Sequence, residues 1–205
     1  MALICGKSIH SPGFFLQKKD GTFSEVNMNR SQLEHIIRAA CSITGEDNIV
    51  IIGSQAILAS FPSTTLPEIL TQSIEADVLY LSEKNQALTD LIDGTIGELS
   101  IFQDTYGIYA HGVGKETAVL PPGWEERLVK FSSSNTAGYT GLCLDPYDLC
   151  ISKLIAYRKK DIDYVKALLS SKIIDINELK ERLLTLEGYD EQKSNALAIL
   201  KAFET

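Results

Sequence analysis

The sequence predicts an α/β fold: a small mixed sheet flanked by helices, followed by a helical C-terminal part. Three observations lead there. A short apolar run, Ile49 to Ile52, meets Gly53-Ser54 and passes directly into a helical pattern; runs of this kind suit a strand buried on both faces. A second run, SIEADVLYL, alternates with the period of two that a strand imposes. From Asp145 onward, apolar residues recur at helical spacing with no further strand pattern.

The elements follow in chain order. Residues 1–27 read as an extension or a small hairpin, with Lys18-Lys19-Asp20-Gly21 as its turn between Phe14-Phe15-Leu16 and Phe23. The α/β core spans 28–140. Asn29 caps its first helix, with Gln32 three residues on. Leu33, Ile36, Ile37, Ala40 and Cys41 form the buried face, and Gly45 ends the helix. Asn48–Ile52 is a strand and Ser54–Ser60 a helix, closed by Pro62 and Pro67 in the following loop. The acidic strand covers Ser73–Leu81. Ser82 caps a helix running through Asp93, with Ala87, Leu88, Leu91 and Ile92 inward and Gly94 at its end. Strands are expected at Ile108–His111, Thr117–Leu120 and Arg127–Phe131, with Glu98 and Asp104 in a turn and Ser132-Ser133-Ser134-Asn135 as the boundary loop. Residues 141–205 are the helical part. An Asp145 cap with Pro146 at the first helical position starts a helix to about Ser170, with Ile151, Leu154, Ile155, Ile162, Val165 and Leu169 buried. Asp175 and Glu178 open another helix ending near Gly188, and a last one covers about Glu191–Phe203.

Composition narrows the class of function. Hydrophobic residues make up 44% of the 205 and charged residues 22%, so the chain has material for a buried core. No apolar run approaches a membrane span, and the N-terminus lacks the basic and apolar pattern of a signal peptide. Cys5, Cys41, Cys143 and Cys150 show neither C-x-x-C nor zinc spacing, which suits buried thiols in a reduced cytoplasm. The net charge of −8 argues against broad, charge-driven binding to nucleic acid. It leaves room for a narrow site that grips a nucleotide or an RNA terminus.

Glu75 and Asp77 stand two apart on a strand, so both carboxylates share a face with Cα atoms roughly 6–7 Å apart. Two such charges repel by about 2–3 kcal/mol at an effective dielectric near 20. Solvent or a hard divalent cation relieves that repulsion; an exposed edge strand with protective charges explains the pair without any ligand. Upstream, Gly53-Ser54 at a helix start offers backbone N–H groups and a hydroxyl, which suit a phosphate. The same residues also make an ordinary turn and cap. Downstream, Lys153, Tyr157 and Lys160 fall at i, i+4 and i+7 and share one face of a continuous helix; an ion-paired solvated face is the alternative. Arg158 and Lys159 read as surface. Trp124 either anchors the Pro121-Pro122-Gly123 turn or stacks on a base.

Taken together, Gly53-Ser54 and Glu75-x-Asp77 resemble the polymerase-β-like nucleotidyltransferase superfamily. The strings IIGSQAIL, SIEADVLY, IGELS, YGIYAHGVG and LDPYDLCISKLIAYRKKD resemble a family of uncharacterised bacterial nucleotidyltransferase-like proteins, distantly similar to AbiEii-type toxins. The resemblance spans about residues 28–170 and implies a nucleotidyltransferase-like fold. It implies Mg²⁺ and a nucleoside triphosphate as cofactors, with Glu75 and Asp77 as catalytic metal ligands. Gly53 and Ser54 would bind the phosphates. Lys153 and Lys160, the latter with Asp161, would help close the nucleotide site. The acceptor would be an RNA end or a protein hydroxyl, and an antitoxin or other partner protein would accompany a toxin–antitoxin or phage-defence role. The chain departs from the superfamily in having Glu at its first acidic position. It also lacks a third carboxylate on Ile108–His111, where His111 is the candidate base. A catalytically inactive protein that binds a nucleotide or a protein partner is the alternative function.

Overall fold

The computed structural model describes residues 16–19, 22–25, 27–82 and 84–203. β1 (Leu16–Lys19) and β2 (Thr22–Glu25) form an antiparallel hairpin, Leu16 opposite Glu25. Lys18 and Lys19 belong to its first strand; Phe14, Phe15, Asp20, Gly21 and Cys5 lie outside the described residues. α1 (Arg30–Thr44) starts at the expected capping box. Asn29 accepts from the Gln32 N–H at 3.1 Å, and Gln32 accepts from the Asn29 N–H at 2.9 Å. Leu33, Ile36, Ile37, Ala40 and Cys41 are fully buried, and Gly45 ends the helix in the left-handed conformation.

β3 (Asn48–Ile51) is followed by a tight turn at Ser54–Ala56 and a short helix, α2 (Ile57–Ser60). The expected helix over 54–60 is thus split: the Ala56 N–H reaches Gly53 O at 3.0 Å, an i→i+3 closure common at helix starts. β4 (Glu75–Leu79) runs antiparallel to β3, Val50 opposite Leu79. α3 (Asn85–Ile96) starts three residues after Ser82, which does not cap it. Instead the Asn85 side chain accepts from the Tyr80 N–H at 2.6 Å and donates to Val113 O at 3.2 Å, tying the helix start to two strand ends. Gly94 lies within the helix, and the inward face is Thr89, Ile92 and Ile96 rather than Ala87 and Leu91, which are exposed. Thr89 goes inside because its hydroxyl bonds to Asn85 O at 3.0 Å and needs no water.

α4 (Ile101–Tyr106), capped by Ser100, occupies a stretch expected to be irregular; Asp104 lies on it, whereas Glu98 is in a turn. β5 (Tyr109–Gly112) runs parallel to β4. Residues 117–120 are no strand: Ala118 is extended, but the stretch has no ladder partner before Pro121. β6 (Val129–Phe131) and β7 (Thr140–Cys143) complete a five-stranded mixed sheet in the order β5-β4-β3-β7-β6. β7 was not expected. It lies parallel to β3, Ile51 opposite Cys143, beneath α1, whose Ile37 leaves no space for a side chain at Gly141.

The helical part holds α5 (Pro146–Ala156), α6 (Lys159–Ser170), α7 (Ile176–Leu184) and α8 (Asp190–Lys201). The single helix expected from Asp145 to Ser170 breaks at Tyr157, which is left-handed at φ 54°, followed by an extended Arg158. Asp145 caps α5 as expected, and Asp175 caps α7, which stops at Leu184, short of Gly188. Among the described residues, no helix is long and apolar enough to cross a membrane.

Candidate functional site

Two strands of parallel partners build the acidic half of the site. β4 presents Glu75 and Asp77 on one face, and β5 sets Tyr109 opposite Glu75 and His111 opposite Asp77. Side chains opposite one another in a pleated ladder stand on the same side, so all four meet. The Tyr109 hydroxyl donates to Glu75 Oε2 at 2.7 Å. His111 Nδ1 lies 3.2 Å from Glu75 Oε1 and 3.4 Å from Asp77 Oδ1. Donor atoms of Glu75, Asp77 and His111 all fall within 4.8 Å of one another. The His111 side chain is 52% exposed, so the cluster opens to solvent on that side.

Its electrostatics are those of two acids competing for one proton. Burial and the adjacent Glu75 charge push the Asp77 carboxyl up to about 6. Burial works against the Glu75 charge too, but hydrogen bonds from Tyr109, Asp77 and His111 outweigh it and hold Glu75 below its ordinary value. Burial lowers the proton affinity of His111; the charges of Glu75, Asp77 and Asp93 more than offset it and raise the pKa. Asp93 is the nearby carboxylate on α3, but its Oδ1 accepts from the Gly112 N–H at 2.7 Å.

The Gly53-Ser54 turn joins this half to a second one. A Cβ at Gly53 would fall 1.7 Å from Asp77 Oδ2. Glycine is needed there for close approach, since its φ of −81° suits any residue. The Ile52 N–H, donating to Asp77 O at 3.1 Å, fixes the same junction. On the far side of the turn, Lys153 Nζ donates to Ser54 Oγ at 2.8 Å and to Asp161 Oδ1 at 3.1 Å. The Tyr164 hydroxyl donates to Ser54 O at 2.8 Å, and its ring lies 4.3 Å from Lys153 Nζ. Lys153 is buried, and burial lowers its pKa despite the opposing pull of Asp161.

Gly53, Ser54, Glu75, Asp77, His111 and Lys153 therefore form a continuous chain of contacts. Lys160 is exposed on the first turn of α6, and no hydrogen bond or ion pair among the described residues joins it to these residues. The break at Tyr157 also removes the shared face expected for Lys153, Tyr157 and Lys160. Arg158 and Lys159 are both exposed, as expected; Arg158 pairs with the buried Asp161 and Lys159 with Asp163. Sequence reasoning missed Tyr109, although Tyr109 and His111 have the same i, i+2 spacing as the acids. A groove of about 590 Å³ beside Trp124 lies elsewhere, walled by Pro122, Glu126, Glu187 and Tyr189. None of the cluster's residues lines it, and its glutamates repel phosphate. Trp124 is half-buried against the core, the position of a turn anchor.

Residues 31–204 match the family described as "Nucleotidyltransferase of unknown function (DUF6036)". The chain belongs to this family. No curated protein and no solved structure matches it. The match to this nucleotidyltransferase family takes in both halves of the cluster, from the Gly53 turn to Lys153. Nucleotidyl transfer commonly calls for a divalent cation, and the residues fit one. Two carboxylates and an imidazole converge, Glu75 Oε1 is free of the Tyr109 bond, and Gly53 leaves Asp77 room to lie against the turn.

Proposed function

We propose that this protein moves a nucleoside monophosphate from a nucleoside triphosphate to an RNA end or a protein hydroxyl. The observation that carries this is the Gly53-Ser54 turn. Its glycine lies against the Asp77 carboxylate while its serine holds Lys153. Acid cluster and buried cation thus flank one backbone bend, as a triphosphate requires. Glu75 and Asp77 hold a divalent cation, Mg²⁺ by resemblance. Bound there, it neutralises charge on the phosphates and orients the reacting oxygens. Ser54 and the amides after Gly53 bind the outer phosphates. Lys153, aimed by Asp161, adds a positive charge beside them. The net charge of −8 favours a narrow site for a nucleotide or RNA terminus over a long RNA groove. The distant resemblance of its sequence strings to AbiEii-type toxins is what suggests a place in a cytoplasmic toxin–antitoxin or phage-defence pair, with an antitoxin as partner. The buried free thiols Cys41, Cys143 and Cys150 suit that compartment.

Incubation with α-labelled nucleoside triphosphates and candidate acceptors tests the reading. Asp77→Asn should abolish labelling, and undiminished transfer by that variant would end the metal assignment. A non-catalytic nucleotide-binding protein is favoured by one observation: no third carboxylate joins Glu75 and Asp77 among the described residues. Calorimetry that finds nucleotide binding without any turnover would select that reading.

A further inference from the structure

We infer that His111 is a metal ligand through Nδ1, and that it makes the site prefer a first-row transition cation such as Mn²⁺ over Mg²⁺. The inference rests on the metal site of the proposed transferase and specifies which cation it takes.

Geometry is the first support. Neighbouring ligands on an octahedral ion, at metal–ligand distances of about 2.1–2.2 Å, stand roughly 3 Å apart. His111 Nδ1 is 3.2 Å from one carboxylate oxygen and 3.4 Å from the other. Two of the three separations thus match neighbouring positions on one ion, and the three donors all lie within 4.8 Å of one another. Register with Asp77 on the neighbouring strand places the imidazole there, and Nδ1 is the ring nitrogen turned to the acids. Tyr109 occupies Glu75 Oε2 and leaves Oε1, the oxygen nearest the imidazole, for the ion.

Donor chemistry is the second. Mg²⁺ wants oxygen ligands and gives up its water reluctantly. Imidazole suits transition ions, and carboxylate suits Mn²⁺ as well. An imidazole in place of a third carboxylate also removes a unit of negative charge. A hard ion loses more by that exchange than one that bonds well to nitrogen. Once Nδ1 ligates, the other ring nitrogen carries the proton. The ligand role therefore displaces the base role that the sequence suggests for His111.

Pulsed EPR on the full-length protein with Mn²⁺, without nucleotide, tests this directly. Wild type should show nitrogen coupling from a directly bound imidazole, and His111→Ala should lose it. Mn²⁺ titration and Mg²⁺ competition should show Mn²⁺ bound at least about tenfold more tightly than Mg²⁺, the scale on which a ligand or its support acts. His111→Asp should narrow that ratio. Absence of nitrogen coupling in wild type, or an unchanged ratio in a folded His111→Asp protein, overturns the inference. Absence of wild-type coupling decides against it even if a variant fails to fold, and coupling retained in a folded His111→Asp protein overturns it too. Label transfer plays no part in the readout. A protein that binds Mn²⁺ through His111 yet transfers nothing sustains the inference and ends the transferase reading. One that transfers nucleotide with Mg²⁺ and shows no nitrogen coupling does the reverse.

Discussion

The two halves of the site treat charge in opposite ways. On the lysine side, Lys153 and Asp161 are buried together, and the ammonium is also held by Ser54 and the Tyr164 ring. That half is complete as it stands. On the acid side, Glu75 and Asp77 stand side by side with a half-exposed imidazole against both, and burial sets them competing for a proton. One half contributes to holding the fold; the other leaves two like charges side by side at an edge open to solvent. The Gly53-Ser54 turn lets both meet without either neutralising the other.

The largest effect should come from opening the complete half. Asp161→Ala leaves the Lys153 ammonium buried without its carboxylate. Removing one partner of a buried pair costs about 3–5 kcal/mol, measurable as a lower midpoint in urea. Asp77→Ala, on the acid side, should change stability by no more than about 1 kcal/mol, since it removes a repulsion along with its contacts. Equal losses for the two variants would erase the contrast between the halves.

Gly53→Ala tests the junction. Its backbone suits alanine, but the added carbon would collide with Asp77 Oδ2, so the carboxylate or the turn must move. Overpacking of this kind costs about 1–3 kcal/mol. A displaced ligand should weaken divalent-ion binding by about tenfold or more. Unimpaired ion affinity in that variant would show that Asp77 need not lie against the turn.

Legibility in the sequence followed the same division. Glu75-x-Asp77 and Gly53-Ser54 could be read because a period of two and a strand-to-helix turn are local patterns. Their meeting could not: it depends on which strands pair, and no residue spells out that Asp77 faces His111 or that Thr140–Cys143 lies beside β3. Tyr109 went unseen for that reason. Lys153 and Asp161 were both singled out through the resemblance, but that they pair with each other was not foreseen. The left-handed Tyr157 breaks the helix and turns α6 so that Asp161 reaches Lys153. A tyrosine in that conformation carries no sequence signal of the kind glycine gives.

The smallest expected effect is also the most specific to the acid half. Asp77 is raised from 3.8 to about 6, so its contribution to stability is complete below 3.8 and is lost as pH rises through 6. His111, raised from 6.5, loses its contribution at higher pH still. Glu75 acts oppositely, but only as pH falls below its ordinary value of 4.5. Between pH 4.5 and 8 the cluster therefore becomes less stabilising as pH rises, and Asp77→Asn should flatten that slope. A bound divalent cation reverses the order, because it requires the ionised carboxylate. A ligating His111 must also lose its proton; for Asp77 alone, only about a quarter ionised at pH 5.5, ion affinity should fall about fourfold relative to pH 8. That corresponds to roughly 0.8 kcal/mol, or about 2–3 °C less ion-induced shift in melting temperature. Melting curves with and without Mn²⁺ at the two pH values measure it; an ion-induced shift that is the same at both, or that survives in Asp77→Asn, would place the cation away from these carboxylates.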